Sequence, residues 1–237
     1  MPFTVDLFFS NGIVGTYYLN NTLAVVLSAV AIMICAYLLG SVNFAIIISG
    51  KKYHEDIRAH GSKNAGMTNM MRTYGRSAAA FTLIGDAAKA VIACFIGYAV
   101  LGHPGSYFAG LFCVLGHVFP IFYGFKGGKG VVTAFATVLT CDPFVFLILL
   151  VIFIIIVLFT KYISLGSIMC MMLYPIFQHK IYGANLNTLI TIMIGAVIVI
   201  KHWANIKRLL QGKENKFSFK KSVKTPEEAA QNTENKQ

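Results

Sequence analysis

The sequence predicts an all-α fold, a polytopic integral membrane helical bundle of about seven transmembrane helices, N-terminus out and C-terminus in. Three observations lead there. Of the 237 residues, 57% are apolar and only 12% charged, where soluble domains hold about 45–50% and about 25%. Long stretches contain no acid or base: Leu7–Gly50, Ala90–Phe125, Val131–Cys141, Pro143–Thr160, Tyr162–Gln178 and Ile181–Ile200. Lys and Arg gather in segments that alternate with these stretches. A small soluble domain leaves too much surface in water to hide so much uncharged chain. The same composition excludes a disulfide-rich secreted module and a disordered chain.

A spanning helix needs about 20 apolar residues, within about 17–25. Leu23–Ser49 spans with tilt, and Ser77–Leu101 is a second span that carries Asp86 and Lys89. Tyr107–Tyr123 is a third, broken near Pro120. Val131–Cys141 is too short to cross alone and reads as a half-helix or a helix where the protein is thin. Pro143–Thr160, Tyr162–Gln178 and Leu186–His202 complete the set, with five spans plus a re-entrant hairpin as the alternative. Segments 50–76, 124–130, 160–162 and 201–237 hold eighteen of the twenty Lys and Arg residues. The positive-inside rule puts those segments on the cytoplasmic side. The net charge of +11 is therefore a topology signal, and nucleic acid is not an expected partner.

Residues 1–22 lack a basic leader and the first apolar stretch is too long for a signal core, so no cleaved signal is expected. Residues 1–212 read as one integral membrane domain and 213–237 as a polar cytoplasmic tail, disordered in part. The five cysteines lie in or beside apolar segments without C-x-x-C pairing, which fits core residues and not a metal or redox site.

All polar, Gly-rich and basic stretches fall on the inner side. The first is Asp56–Arg72, preceded by the Gly40–Asn43 step. Its Ser62, Asn64, Thr68 and Asn69 between glycines suit a loop folded around a small polar ligand, or an ordinary turn-rich loop. The second is Gly116–Gly130, with Lys126, Gly127, Gly128, Lys129 and Gly130 directly before a helical stretch. Backbone N–H groups, a helix dipole and two ammoniums would converge there on a phosphate; the alternative, a flexible membrane turn with positive-inside lysines, is disfavoured by the Gly-Gly-Lys-Gly density. The Walker spacing is absent, so nucleotide binding is not implied. The third is Lys201–Glu214, in which His202 and Asn205 share one helix face, while Trp203, Lys207 and Arg208 fit an interfacial belt and headgroup anchors. Asp86 and Lys89 fit a neutralising structural pair or a functional intramembrane site. Ser164 and Ser167 start a helix at the inner face, as caps or as ligand contacts. No nucleophile elbow, H-E-x-x-H or His-x-x-x-x-Asp pattern occurs, and acids are scarce near the motifs. Neither a metal site nor a carboxylate acid–base pair is expected.

Together these stretches resemble the bacterial acyl-phosphate:glycerol-3-phosphate acyltransferases of the inner membrane. Asp56–Arg72 is similar to D-I-R-x-x-G-S-G-N-x-G-A-T-N-x-x-R, Gly116–Thr133 to G-H-x-F-P-x-F-x-x-F-K-G-G-K-G-V-A-T, and Lys201–Glu214 to R-H-x-x-N-I-x-R-L-x-x-G-x-E. Gly40–Phe44 and Tyr162–Ser167 also fit, so the likeness runs from about residue 25 to 220. Lys63, Ala65, Met67, Val132 and Lys201 depart from the pattern, and Lys63 cannot adopt a positive φ as cheaply as glycine.

The resemblance implies transfer of a fatty acyl group from acyl phosphate to the 1-hydroxyl of sn-glycerol 3-phosphate, giving lysophosphatidic acid and phosphate for phospholipid synthesis. It implies no cofactor, no side-chain general base, and a bilayer for a partner; it leaves the oligomeric state open, with a monomer as one plausible state. It places Lys126–Gly130 on glycerol 3-phosphate, with Lys129 compensating the phosphate. It puts Arg58, Ser62, Asn64 and Asn69 on the acyl phosphate or the developing oxyanion, and His202, Asn205, Ser164 and Ser167 in orienting roles. Ser41, Asn43, Thr68 and His117 fall in the matching segments and are expected in the same pocket, whereas Glu214 looks structural. Two rivals differ in a checkable way. A phosphorylated-solute transporter needs polar groups at the midplane and on both faces, and a membrane scaffold tolerates alanine throughout the motifs.

Overall fold

In the computed structural model, which describes residues 12–14 and 21–217, every regular element among the described residues is helical. Helix α1 (Thr22–Ser41) starts at Asn21, whose side chain accepts from the Ala24 N–H. The predicted span Leu23–Ser49 does not continue through: it breaks at Val42, and α2 (Phe44–Tyr53) begins anew. The reason is local. Asn43 takes extended backbone and its Oδ1 accepts from Ile46 N–H, which caps α2. The break frees the carbonyls of Gly40 and Val42, and both accept from Lys89 Nζ, at 2.9 and 2.6 Å. A cation at a helix C-terminus also meets the favourable end of its dipole.

After a loop and the short helix α3 (Met67–Tyr74) comes α4 (Arg76–Val118). A straight helix of 43 residues would reach about 65 Å. Instead Leu101 and Gly102 leave helical geometry, Gly102 at φ +65°, and Pro104 starts a second arm that returns along the first. Asp86 and His117, on different arms, lie 3.5 Å apart. The arms touch backbone to backbone: a Cβ at Gly97 would sit 2.2 Å from the Gly105 carbonyl oxygen. Thus the predicted spans Ser77–Leu101 and Tyr107–Tyr123 are the two arms, the second ending at Val118 ahead of a short turn, Ile121–Tyr123.

Helices α5 (Val131–Cys141), α6 (Pro143–Thr160), α7 (Ile163–Tyr182), α8 (Leu186–Lys201) and α9 (Trp203–Leu210) complete the chain. At 11 residues α5 is about 16 Å long, well short of a hydrocarbon core of about 30 Å. Helix α9 leaves α8 at 59°. The second arm of α4 is the axis of the bundle. Its Tyr107, Leu111, Val114 and Val118 pack on Val138 of α5, Leu149 of α6, Met171 and Tyr174 of α7, and Ile194 and Ile198 of α8. Helix α1 packs on the opposite side, against both arms. At the far end of α5, the buried Asp142 accepts from the hydroxyls of Tyr107 and Tyr174, at 2.5 and 2.7 Å.

Large apolar side chains cover the outside: Phe144, Leu147, Val151, Leu158 and Phe159 of α6 are exposed, Phe159 by 84%. Water would penalise such a surface, and lipid does not. By length and apolarity alone, three stretches can cross a membrane, namely Thr22–Tyr53, Arg76–Tyr123 and Pro143–Thr160, or four if the bent α8–α9 pair counts as one. The expectation of about seven spans separates the two α4 arms and adds α5, α7 and α8.

Candidate active site

Four pieces of chain meet at one end of the bundle: the loop 54–66 with α3, the Gly-rich turn 124–130, the start of α7, and the α8–α9 bend with residues 213–217. They enclose a cavity of about 1200 Å³. Fourteen of the seventeen residues singled out from sequence line it; Ser41, Asn43 and Gly128 stand behind its wall.

The first loop is built around one amide. Buried Asn69 accepts from Ser62 N–H at 2.9 Å and donates to the carbonyls of Ile57, His60 and Asn64. Ser62, Asn64 and Thr68 remain at the cavity surface. Lys63, between them, holds φ +56°. Arg58 is similarly committed. Its Nε and Nη2 clasp the Asp56 carboxylate, and Nη1 donates to the carbonyls of Tyr123 and Lys126 at 2.9 and 3.0 Å. The hydrogen bonds from Arg58 hold Asp56 below the usual carboxylate range. Arg58 thereby fastens the first loop to the Gly-rich turn.

The two glycines of that turn are needed for packing. A Cβ at Gly127 would lie 2.0 Å from the His117 carbonyl oxygen, and one at Gly128 2.2 Å from His117 Nε2 and 2.4 Å from the Ala65 carbonyl oxygen. His117, buried beneath the turn, meets Lys89 Nζ at 3.0 Å through Nδ1. Asp86, Lys89 and His117 therefore form one buried cluster that joins both arms of α4 to the end of α1. Asn43 reaches the Ala65 carbonyl, and Ser41 receives the Ile121 N–H. These groups shape the wall from behind.

Past Gly130, at φ +79°, α5 starts without a side-chain cap, so its first N–H groups open on the cavity beside Lys129. Lys129 Nζ donates to Asn205 Oδ1 at 2.5 Å. Asn205 Nδ2 donates in turn to Glu214 Oε1, which also receives Ser164 Oγ, while Glu214 Oε2 receives Arg208 Nε at 2.7 Å. Ser164 is thus a tie to Glu214 and not a cap, and Ser167 bonds back to the Ile163 carbonyl. Burial would raise the Glu214 pKa, but the hydrogen bonds from Asn205, Ser164 and Arg208 outweigh it and hold the carboxyl below its usual value. Burial lowers the Lys129 pKa to about 8, with Arg208, Arg72 and Lys201 adding to the shift and Glu214 opposing it. His202 sits at the bend, its Nδ1 2.8 Å from the Ile198 carbonyl oxygen. A carbonyl only accepts, so in the neutral ring Nδ1 carries the proton and Nε2 is an acceptor.

Sequence reasoning missed four cations on the cavity wall: Lys63, Arg72, Lys201 and Arg208. Arg208 continues the three-residue spacing of His202 and Asn205, and Arg72 follows Thr68 by one turn, so both could have been found by helix face. The other half of the cavity is apolar. Leu83, Ala87 and Val91 of α4, Phe135 and Leu139 of α5, and Phe146 and Phe153 of α6 line it. Phe135 packs edge-on to both Phe146 and Phe153. Among the described residues no three His, Cys, Asp or Glu side chains are placed to hold a metal ion. A cationic head with a long greasy arm fits a phosphorylated amphiphile.

Comparison with known proteins gives the same picture. Residues 30–212 match the family model described as glycerol-3-phosphate acyltransferase. A glycerol-3-phosphate acyltransferase of Finegoldia magna is 42% identical over 188 residues, 78% of this chain and 93% of the relative. One of Paraburkholderia phymatum is 36% identical over 201 residues, covering 81% and 94%, and one of Clostridioides difficile is 38% identical over 202, covering 83% and 98%. Two crystal structures of an integral membrane glycerol 3-phosphate acyltransferase are also similar. Its glycerol 3-phosphate form has TM-score 0.76 at 38% identity, and its lysophosphatidic acid form 0.73 at 37%; each comparison covers 81% of this chain and 96% of the other.

Proposed function

The chain belongs to the glycerol-3-phosphate acyltransferase family, and from that premise we propose that it transfers a fatty acyl group from acyl phosphate to the 1-hydroxyl of sn-glycerol 3-phosphate. The products are lysophosphatidic acid and inorganic phosphate. One observation carries this reading: a single cavity joins a cationic head, at Lys129 and Asn205, to an apolar arm between α4, α5 and α6.

Glycerol 3-phosphate enters with its phosphate on Lys129, Arg208 and the open N-terminus of α5. His202 Nε2 accepts from a glycerol hydroxyl and sets its direction. The acyl chain lies along the apolar arm, which brings the acyl carbonyl to the cationic head. The hydroxyl oxygen attacks that carbonyl, the bond to the phosphate oxygen breaks, and the hydroxyl proton ends on phosphate. An acyl phosphate is already activated, so positioning and charge stabilisation supply most of what the reaction needs. This suits a site whose polar side chains offer many donors and no evident base pair.

The same reading places the protein in the bacterial inner membrane with the cavity facing the cytoplasm. The concentration of Lys and Arg in the segments that build the cavity supports that orientation. Of the expected domain 1–212, residues 21–212 act as one membrane domain, onto which 213–217 pack through Glu214, while residues 1–11 and 15–20 lie outside the described residues. The rest of the predicted tail lies outside the described residues. One chain completes the cavity, so a monomer suffices.

The test is phosphate release by the purified protein with palmitoyl phosphate, with and without glycerol 3-phosphate, and with acyl-CoA as a separate donor. Release that requires glycerol 3-phosphate and yields lysophosphatidic acid is expected. Activity with acyl-CoA alone would overturn the donor. Lys129→Ala should raise the KM for glycerol 3-phosphate at least about 10-fold, as loss of a charged hydrogen bond does.

A further inference from the structure

Helix α9 has two faces with different surroundings. Asn205 and Arg208, three residues apart, turn to the cavity and hold Glu214, and Asn205 also receives Lys129. Within α9 only Asn205 is buried. The buried apolar clusters among the described residues contain nothing from this helix. Its inner face is therefore held by polar ties, with no hydrophobic packing beneath.

The other face carries Trp203, Lys207 and Leu210, spaced four and three residues apart and so in one stripe. Trp203 is 60% exposed and Leu210 84%. Lys207 Nζ lies 5.6 Å over the Trp203 ring. Ile200, just ahead of the bend, adds exposed apolar surface, and Lys213 and Lys216 are exposed after it. Glu214 is the only acid in 201–217, and Asn205, Ser164 and Arg208 turn it inward. The stripe thus combines an indole, bulky apolar groups and ammoniums. Water penalises the first two and lipid tails penalise the third, whereas a boundary of acyl chains and anionic headgroups satisfies all three. A second copy of this face would set like charges together. We propose that the outer stripe of α9, with Lys213 and Lys216, docks on anionic phospholipid headgroups at the cytoplasmic surface, and that this contact seats Asn205 and Arg208 at the cavity. A helix of two turns moves as one body, so a pull on Trp203 and Lys207 is felt at Lys129 and Glu214.

The coupling rests on the reaction and orientation proposed above, but the docking is read without turnover. Trp203 is the only tryptophan of the chain, so emission reports this face alone. Nanodiscs of phosphatidylcholine and phosphatidylglycerol in equal amounts carry bromine on the chains of one lipid or the other. Brominated phosphatidylglycerol should quench Trp203 about twofold more than brominated phosphatidylcholine, and about 0.5 M salt should shrink the difference. Lys207→Gln with Lys213→Gln and Lys216→Gln should erase it without lowering the melting temperature, and the three Lys→Arg changes should keep it. Equal quenching by both lipids would overturn the docking. Quenching by neither would do so too, and would set the stripe against water or another chain. For the coupling, kcat at saturating glycerol 3-phosphate should be about threefold higher in phosphatidylglycerol discs than in phosphatidylcholine discs, and equal in the triple Gln variant. The comparison uses kcat because an anionic surface repels the anionic substrate and distorts KM. A kcat indifferent to lipid charge would overturn the coupling. If palmitoyl phosphate is turned over in neither disc, the reaction fails, and the quenching still decides the docking.

Discussion

At Lys129, burial and three neighbouring cations bring the ammonium from its ordinary pKa of 10.5 to about 8. The charged form exists below that value and is the form that binds a phosphate dianion. Raising the pH through about 8 therefore removes the charge, and kcat/KM for glycerol 3-phosphate should fall on the alkaline side. Below about 6 it should fall again as the phosphate monoester takes a second proton. Lys129→Arg stays charged throughout and should flatten the alkaline limb at a lower maximum; a limb unmoved by that change would assign it elsewhere. The sequence reading puts Lys129 on a phosphate, and the structure sets its ammonium on the cavity wall against Asn205. The sequence does not reveal that Arg58 and Asn69 also bond to backbone carbonyls of the chain itself. Whether a polar side chain serves a ligand or a loop depends on which carbonyls lie nearby, and those of Tyr123 and Lys126 are more than 60 residues from Arg58.

Among the helices, boundaries were legible where a capping residue or a glycine marks them. Pro143–Thr160 and Val131–Cys141 form as predicted, between Gly130, Asp142 and Lys161. The break between α1 and α2 was not recognised, since it occurs inside an uncharged run and its carbonyls are satisfied by Lys89 from another helix. The α5–α6 junction depends equally on distant groups, because Asp142 is buried and its two oxygens are held by Tyr107 and Tyr174. Tyr107→Phe leaves one oxygen short of a donor and should cost about 1–3 kcal/mol. Unfolding in detergent measures this, and both KM values should stay within about twofold, because the junction is at the end of α5 remote from Lys129.

For the whole molecule, the decisive event is the return of α4 upon itself. It brings His117, which carries the Gly-rich turn, to Asp86 and Lys89, which anchor α1. Gly97→Ala would set a Cβ 2.2 Å from the Gly105 carbonyl oxygen, and backbone cannot yield as a side chain does. That change should cost about 1–3 kcal/mol or more and reduce activity with it. Gly50→Ala, in a helix with open space around the new methyl, is the control and should be neutral or stabilising.

Composition and charge placement by themselves determined that this is a helical membrane protein, because lipid tolerates few charges and the cytoplasmic side retains them. The spacing of Gly, Lys, His and Asn pointed to a phosphate, since glycine lets backbone N–H groups approach an anion at a helix start and lysine adds charge there. What the sequence could not determine is which side chains remain available to a ligand. Segments 54–72, 124–130 and 201–217 meet only after α4 turns back, and each polar group then satisfies its nearest partner first. The tertiary structure consumed Arg58, Asn69, Ser41 and Asn43 in building the wall, and left Lys63 and Arg72 facing the cavity, because a buried carbonyl or carboxylate without a donor costs more than a cation left in a wet pocket.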